Sequence, residues 1–112
     1  MELGIWERLR LLENLPEKGD FVTLKIVRKL REDLSFSEEE IAEYRFRKDG
    51  NRIVWKPEID PQKEYHFGPR ATTAIVDALK GLDKAQALDS QTLALFEKFV
   101  DTTKYDLGGE AG

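Results

Sequence analysis

The 112 residues carry 18 lysines and arginines against 22 aspartates and glutamates, a formal net charge of −4, and include no cysteine. Disulfides, thiol catalysis and cysteine-ligated zinc are therefore excluded, and no apolar run approaches the ~18 residues of a membrane span. Hydrophobic residues make up 40%, with 6 Phe, 3 Tyr and 2 Trp, enough for one domain with a core of its own. Charged residues reach 36%, but both signs are interspersed, so disorder is not implied. The start, Met1-Glu2-Leu3-Gly4-Ile5-Trp6-Glu7, is acidic early and lacks the apolar stretch of a signal peptide. The expectation is a small, soluble domain of intracellular type.

Residues 3–15 read as a short amphipathic helix. Ile5, Trp6, Leu9 and Leu12 recur at helical spacing, with Glu7, Arg8, Arg10 and Glu13 facing away. Pro16 and Gly19 end it. Asp20 then caps a second helix over 20–34, in which Val22, Ile26, Leu30 and Leu34 stack on one stripe and Lys25, Arg28 and Lys29 cluster opposite. The segment Phe36-Ser37-Glu38-Glu39-Glu40-Ile41 is the clearest local signal. Ser37 with Glu40 makes a capping box, Phe36 with Ile41 fits a hydrophobic staple, and the acidic first turn suits the helix dipole. This third helix spans about 37–44.

From Tyr44 to Lys56 the period changes to two. Tyr44, Phe46, Ile53 and Trp55 alternate with Arg45, Arg47, Arg52 and Val54 around a turn signal. An Asp49-Gly50 turn sets Phe46 opposite Ile53 and Tyr44 opposite Trp55. A Gly50-Asn51 turn would instead pair Phe46 with Trp55. The first register is preferred. Residues 57–63, with Pro57 and Pro61, read as a loop or an irregular edge. Glu64-Tyr65-His66-Phe67 reads as a third strand with Tyr65 and Phe67 inward, closed by Gly68-Pro69. A helix over 70–86 buries Ala71, Ile75, Ala78, Leu79 and Leu82, with Gly81 as its weak point. Asp89 or Ser90 caps a last helix whose apolar face is Leu93, Phe96, Phe99 and Val100. The fold class expected is α+β: three N-terminal helices, an antiparallel hairpin or three-stranded sheet, and a C-terminal helical hairpin. It forms a single domain over 1–101, with a flexible tail over 102–112.

Motifs for chemistry are weak. His66 is the one histidine, lies between two aromatics, and should point away from them, toward solvent or a partner. Glu58, Asp60 and Glu64 lack the ligand spacing and turn glycine of a calcium loop. Gly108-Gly109 opens no helix, and Ser35, Ser37 and Ser90 sit at caps rather than at a strained elbow beside a base. No enzyme, cofactor or metal is expected.

Charge is unevenly divided. Residues 1–20 are net −2, residues 21–56 net +2, and residues 57–112 net −4. The positive middle gathers on the second helix (Lys25, Arg28, Lys29, Arg31) and on the hairpin (Arg45, Arg47, Lys48, Arg52, Lys56). Three helices before a basic hairpin make a winged-helix arrangement possible, with the wing reaching DNA. The third helix would then enter the major groove presenting Glu38, Glu39, Glu40 and Glu43, which a polyanion repels. DNA binding is the second reading. The first is a protein-interaction module whose contact residues are Lys25, Arg28, Lys29, Arg45, Arg47 and Arg52, its partner another protein or a second copy of itself, with no membrane involved.

The stretch Thr23-Leu24-Lys25-Ile26-Val27-Arg28-Lys29-Leu30 through Leu34-Ser35-Phe36-Ser37-Glu38-Glu39-Glu40-Ile41, with the closing Leu95-Phe96-Glu97-Lys98-Phe99-Val100, resembles small, uncharacterised proteins encoded by tailed bacteriophages and prophages. The resemblance covers most of residues 5–100. It implies a phage or mobile-element origin and action in the bacterial cytoplasm or in a virion. It carries over no catalytic residue and no fold.

Overall fold

The computed structural model of the chain describes residues 1–56, 58–103 and Tyr105. Pro57 of the expected loop, and all of the expected tail but Thr102, Thr103 and Tyr105, lie outside the described residues. The fold is α+β. In chain order the elements are β1 (Glu2–Leu3), α1 (Ile5–Asn14), α2 (Phe21–Leu34), α3 (Glu38–Glu43), β2 (Arg47–Asp49), β3 (Arg52–Val54), β4 (Lys63–Glu64), α4 (Pro69–Lys84) and α5 (Ser90–Phe99).

Helices α1, α2, α4 and α5 pack in a closed ring. Inside it lie Leu11, Leu15, Val27, Leu30, Leu34, Ile75, Leu79, Leu95 and Phe96. Fully burying a side chain of this kind stabilises by about 1.5–3 kcal/mol. The caps form as the sequence requires. Asp20 accepts from the Thr23 N–H at 2.8 Å. Asp89 accepts from the N–H groups of Gln91 and Thr92 at 3.0 and 2.9 Å. Pro69 fills the first position of α4, where a missing N–H costs nothing. The expected C-terminal helical hairpin is α4 with α5, and α4 runs through Gly81 to Lys84 without ending there.

Helix α1 is turned relative to expectation. Its inward residues are Ile5, Arg8 and Leu11, while Trp6 stays 50% exposed. Arg8, expected in solvent, is 1% exposed. Its guanidinium meets the C-terminal end of α2, where unpaired carbonyls and the helix dipole favour a cation. Nε donates to Leu34 O at 3.2 Å and Nη2 to Ser35 O at 2.9 Å. Both terminal nitrogens also donate to Glu40, at 2.6 and 3.1 Å, a bidentate pair of the strong kind. The Phe36 ring lies 3.8 Å from the guanidinium carbon. Glu40 closes the capping box at the same time, accepting from the Ser37 N–H at 3.0 Å. Glu40 is therefore not among the exposed carboxylates of α3, which are Glu38, Glu39 and Glu43. The staple partner Ile41 is exposed, and Phe36 packs instead on Phe46 and Tyr44.

Three further expectations are corrected. The hairpin pairs Arg47 with Val54, Lys48 with Ile53 and Asp49 with Arg52, so the turn is Gly50-Asn51 and not Asp49-Gly50. Gly50 has φ +66° at the first turn position, where a Gly-first hairpin turn needs a positive φ. Residues 64–67 add no third strand to the hairpin. Instead Lys63–Glu64 pairs antiparallel with Glu2–Leu3, a strand absent from the sequence reading. Val22 of α2 and Leu93 of α5 face outward, because Val27 and Leu95 take the core positions.

The Arg8 guanidinium is the largest cause holding the Glu40 carboxyl well below its usual value, at about 2. A depressed folded-state value means stability that is present above the ordinary carboxylate range and is lost as pH falls. The urea midpoint of the wild type should therefore exceed that of Glu40→Gln near neutral pH, with the gap closing between about pH 4.5 and pH 2. Tyr65 supplies a second check. Its side chain is buried and its hydroxyl has no hydrogen-bond partner among the described residues. Removing an unsatisfied buried hydroxyl recovers its desolvation cost, so Tyr65→Phe should leave the unfolding free energy unchanged or raise it by about 1–3 kcal/mol, read as an equal or higher thermal midpoint.

Candidate functional site

Lys25 and Lys29 lie one turn apart on α2, and both line a groove of about 670 Å³ between α2 and the segment that enters α4. Ile26, Leu30, Phe67, Pro69 and Ala71 form its apolar part, and Lys25, Lys29, Asp33, His66 and Arg70 its polar rim. Lys29 Nζ donates to Asp33 Oδ1 at 3.0 Å, which raises the Lys29 pKa. Both partners are well exposed, so this pair adds little stability. Among the described residues Lys25 and Arg70 make no ion pair. His66 is exposed, as expected, with Nε2 3.9 Å from Glu64 Oε1.

The groove follows from the local sequence. Gly68 is the N-cap of α4 and has no side chain with which to cap it. Pro69 carries no N–H, so the amides of Arg70 and Ala71 are the free donors of that helix end. The positive end of the α4 dipole thus opens on the groove. The groove runs on along α2 in both directions. Toward the N-terminus it shares Ile26, Pro69 and Arg70 with a depression of about 300 Å³ that reaches Val22 and Asp77. Phe21, 76% exposed, is beside Val22 at that end, with the Lys25 ammonium 5.7 Å from its ring. Toward the C-terminus it shares Asp33, His66 and Phe67 with a cleft of about 730 Å³ bearing Glu32, Glu40, Lys63 and Glu64. The furrow is cationic at its centre and mostly acidic at the α3 end.

The hairpin residues form a separate surface. By the observed register, Arg47, Asp49, Arg52 and Val54 share one face and Lys48 and Ile53 the other. Arg45 has φ +58°, a left-handed backbone that is strained for a side-chain-bearing residue. Arg45, Arg47 and Arg52 are exposed and make no ion pair among the described residues. The hairpin is tied to the helices by ring contacts: Trp6 to Trp55 at 4.7 Å, Trp55 to Phe46 at 5.7 Å, and Phe46 to Phe36 at 4.7 Å. Arg52 borders a shallow depression with Trp6, Ile53, Val54 and Trp55.

The six residues singled out in the sequence are thus all exposed but are not brought together. Lys25 and Lys29 share the α2–α4 groove, Arg28 lies outside its lining, and Arg45, Arg47 and Arg52 stay on the hairpin. Arg70 and Phe67 complete the groove and were missed. The only local signal for them was Gly68-Pro69 ahead of an amphipathic helix. Among the described residues no group of three or more His, Asp or Glu side chains is placed to hold a metal ion, and no helix is long and apolar enough to cross a membrane. Compared with known proteins, the chain matches no family model, no curated protein and no solved structure.

Proposed function

We propose that this protein is a non-enzymatic protein-interaction module, phage-derived, and that the α2–α4 groove is its principal contact surface. The observation that carries this reading is an apolar groove rimmed by Lys25, Lys29 and Arg70, two of which have no ion-pair partner among the described residues. Apolar floor, cationic rim and an adjoining exposed Phe21 and Val22 are what a docking surface requires. Every titratable side chain on the rim is exposed, which supports binding over chemistry, since catalytic groups are usually tuned by burial. The phage origin rests on the sequence resemblance. It fits a role in assembly, as an accessory, or in binding a host protein, in the host cytoplasm or in a virion. The partner is another protein or a second copy of this chain.

A winged-helix-type DNA binder is the second reading, favoured by the three exposed arginines of the hairpin. Two features weigh against it. Helix α3 has six residues, about 9 Å of helix at 1.5 Å per residue, and presents Glu38, Glu39 and Glu43 outward. Net charge is −4, which adds repulsion from phosphate.

Two charge-reversed proteins separate the readings. One carries Lys25→Glu, Arg28→Glu and Lys29→Glu, the other Arg45→Glu, Arg47→Glu and Arg52→Glu. The first should lose the partner that co-purifies with the wild type, and the wild type should give no salt-dependent shift of duplex DNA near physiological ionic strength. A DNA shift abolished by the hairpin reversal would establish the alternative. Partner retained by both variants would overturn the surface proposed.

A further inference from the structure

We infer that the α2–α4 groove receives an extended acidic segment of a protein partner, one or two carboxylates meeting Lys25, Arg70 and the start of α4, and an adjacent apolar side chain resting on Ile26 and Phe67. This rests on the protein-interaction reading and adds the chemistry of the partner to it.

Charge complementarity selects the occupant. The middle of the furrow offers Lys25, Lys29 and Arg70 against one carboxylate, Asp33, which Lys29 already engages. Arg70 presents a planar fork suited to a carboxylate, and the amides of Arg70 and Ala71 lie at the same helix end without a side-chain cap. These are side-chain cations and backbone donors converging on one apolar floor, so a group that is both anionic and flanked by hydrocarbon satisfies all of it. Lys25 and Lys29 can lay their methylene stems along that hydrocarbon while their ammonium groups meet the charge.

The same geometry disfavours a nucleic acid. Single-stranded recognition needs open aromatic faces on which bases stack. Among the described residues Phe67 is the one phenyl ring lining the groove, beside the single imidazole of His66, and it is already stacked on Tyr65, with centroids 5.4 Å apart and planes 3° from parallel, and packed against Phe99 at 5.9 Å. A phosphate backbone running on from the cationic centre would next meet Glu32, Asp33 and Glu64 against the single cation Lys63 at one end, and Asp77 at the other. A peptide can place its carboxylates at the centre only and be neutral or basic where the furrow turns acidic.

The test is fluorescence anisotropy on the full chain with a panel of short labelled peptides in which a central Glu-Glu is flanked by Leu, Ile or Phe. Matched peptides carry Gln-Gln at the centre, and a duplex DNA of similar mass is included. Binding of at least one Glu-Glu peptide is expected, with its Gln-Gln counterpart weaker by about tenfold or more. The variant Lys25→Glu/Lys29→Glu/Arg70→Glu should lose that binding by at least the same factor. The variant Arg47→Glu/Arg52→Glu, which alters charge elsewhere, should keep it within about twofold. All five positions are exposed, and unchanged circular dichroism verifies that both variants fold. Equal loss in both variants, equal affinity for Glu-Glu and Gln-Gln peptides, or tighter binding of the duplex would overturn the inference. If no peptide binds while reversal at Lys25, Arg28 and Lys29 still releases the co-purified partner, the acidic segment is wrong and the protein-interaction reading stands.

Discussion

One buried cation organises the N-terminal half of this fold. The Arg8 guanidinium closes the C-terminal end of α2 through Leu34 and Ser35, binds Glu40 at the start of α3 with both terminal nitrogens, and covers the face of Phe36. Burying such a group unpaired would cost several kcal/mol. Here the carbonyls, the carboxylate and the ring offset that cost together. Removing one partner leaves the others desolvated, which makes the cluster an all-or-none junction of α1, α2 and α3. The hairpin depends on it at one remove. Among the described residues its strands pair only with each other. Its attachment runs from Phe36, beneath Arg8, through Phe46 and Trp55 to Trp6, back on α1.

The groove depends on a second, smaller constraint at the other side of the same helix. Strand β1 pairs with β4 across some sixty residues, with Leu3 buried beneath the pair. The Met1 amino group reaches Glu64 and Tyr65, and the Tyr65 N–H returns a bond to Met1 O at 2.8 Å. That pairing fixes the path of 63–67, so Phe67 and the Gly68-Pro69 entry to α4 come to lie opposite Ile26 and Leu30. Helix α2 is thus held from within by Val27, Leu30 and Leu34, while its Lys25–Lys29 face remains open.

The parts of this architecture that were legible in the sequence are those set by neighbours in the chain. The capping box at Ser37 and Glu40, the Asp20 and Asp89 caps, the positions of the helices and the existence of the hairpin all depend on residues within a few positions of one another. What stayed hidden depends on distant partners. Periodicity assigned Arg8 to solvent because an isolated cation belongs there, and nothing near it in sequence announces the carbonyls of α2. The hairpin register was ambiguous for a definite reason. Moving the turn by one residue shifts the cross-strand pairing by two, so both registers keep Phe46, Ile53 and Trp55 on one face, and the hydrophobic pattern does not distinguish them. The β1–β4 pair is two residues long on each side and carries no turn or periodic signal. Of the site, Lys25 and Lys29 were found from helical spacing alone. Arg70 and Phe67 come from a segment whose placement is decided by that same unsignalled pairing.

If Arg8 and Glu40 act as one unit, their energies are not separable. A double-mutant cycle on Arg8→Met, Glu40→Leu and the double variant, by urea denaturation near neutral pH, measures this directly. Glu40→Leu should destabilise by about 3–5 kcal/mol, because it strands the buried Arg8 charge, Arg8→Met should also destabilise, and the double change should cost much less than the sum. Losses that add to within about 0.5 kcal/mol would contradict the account and reduce Arg8 to an independent packing residue.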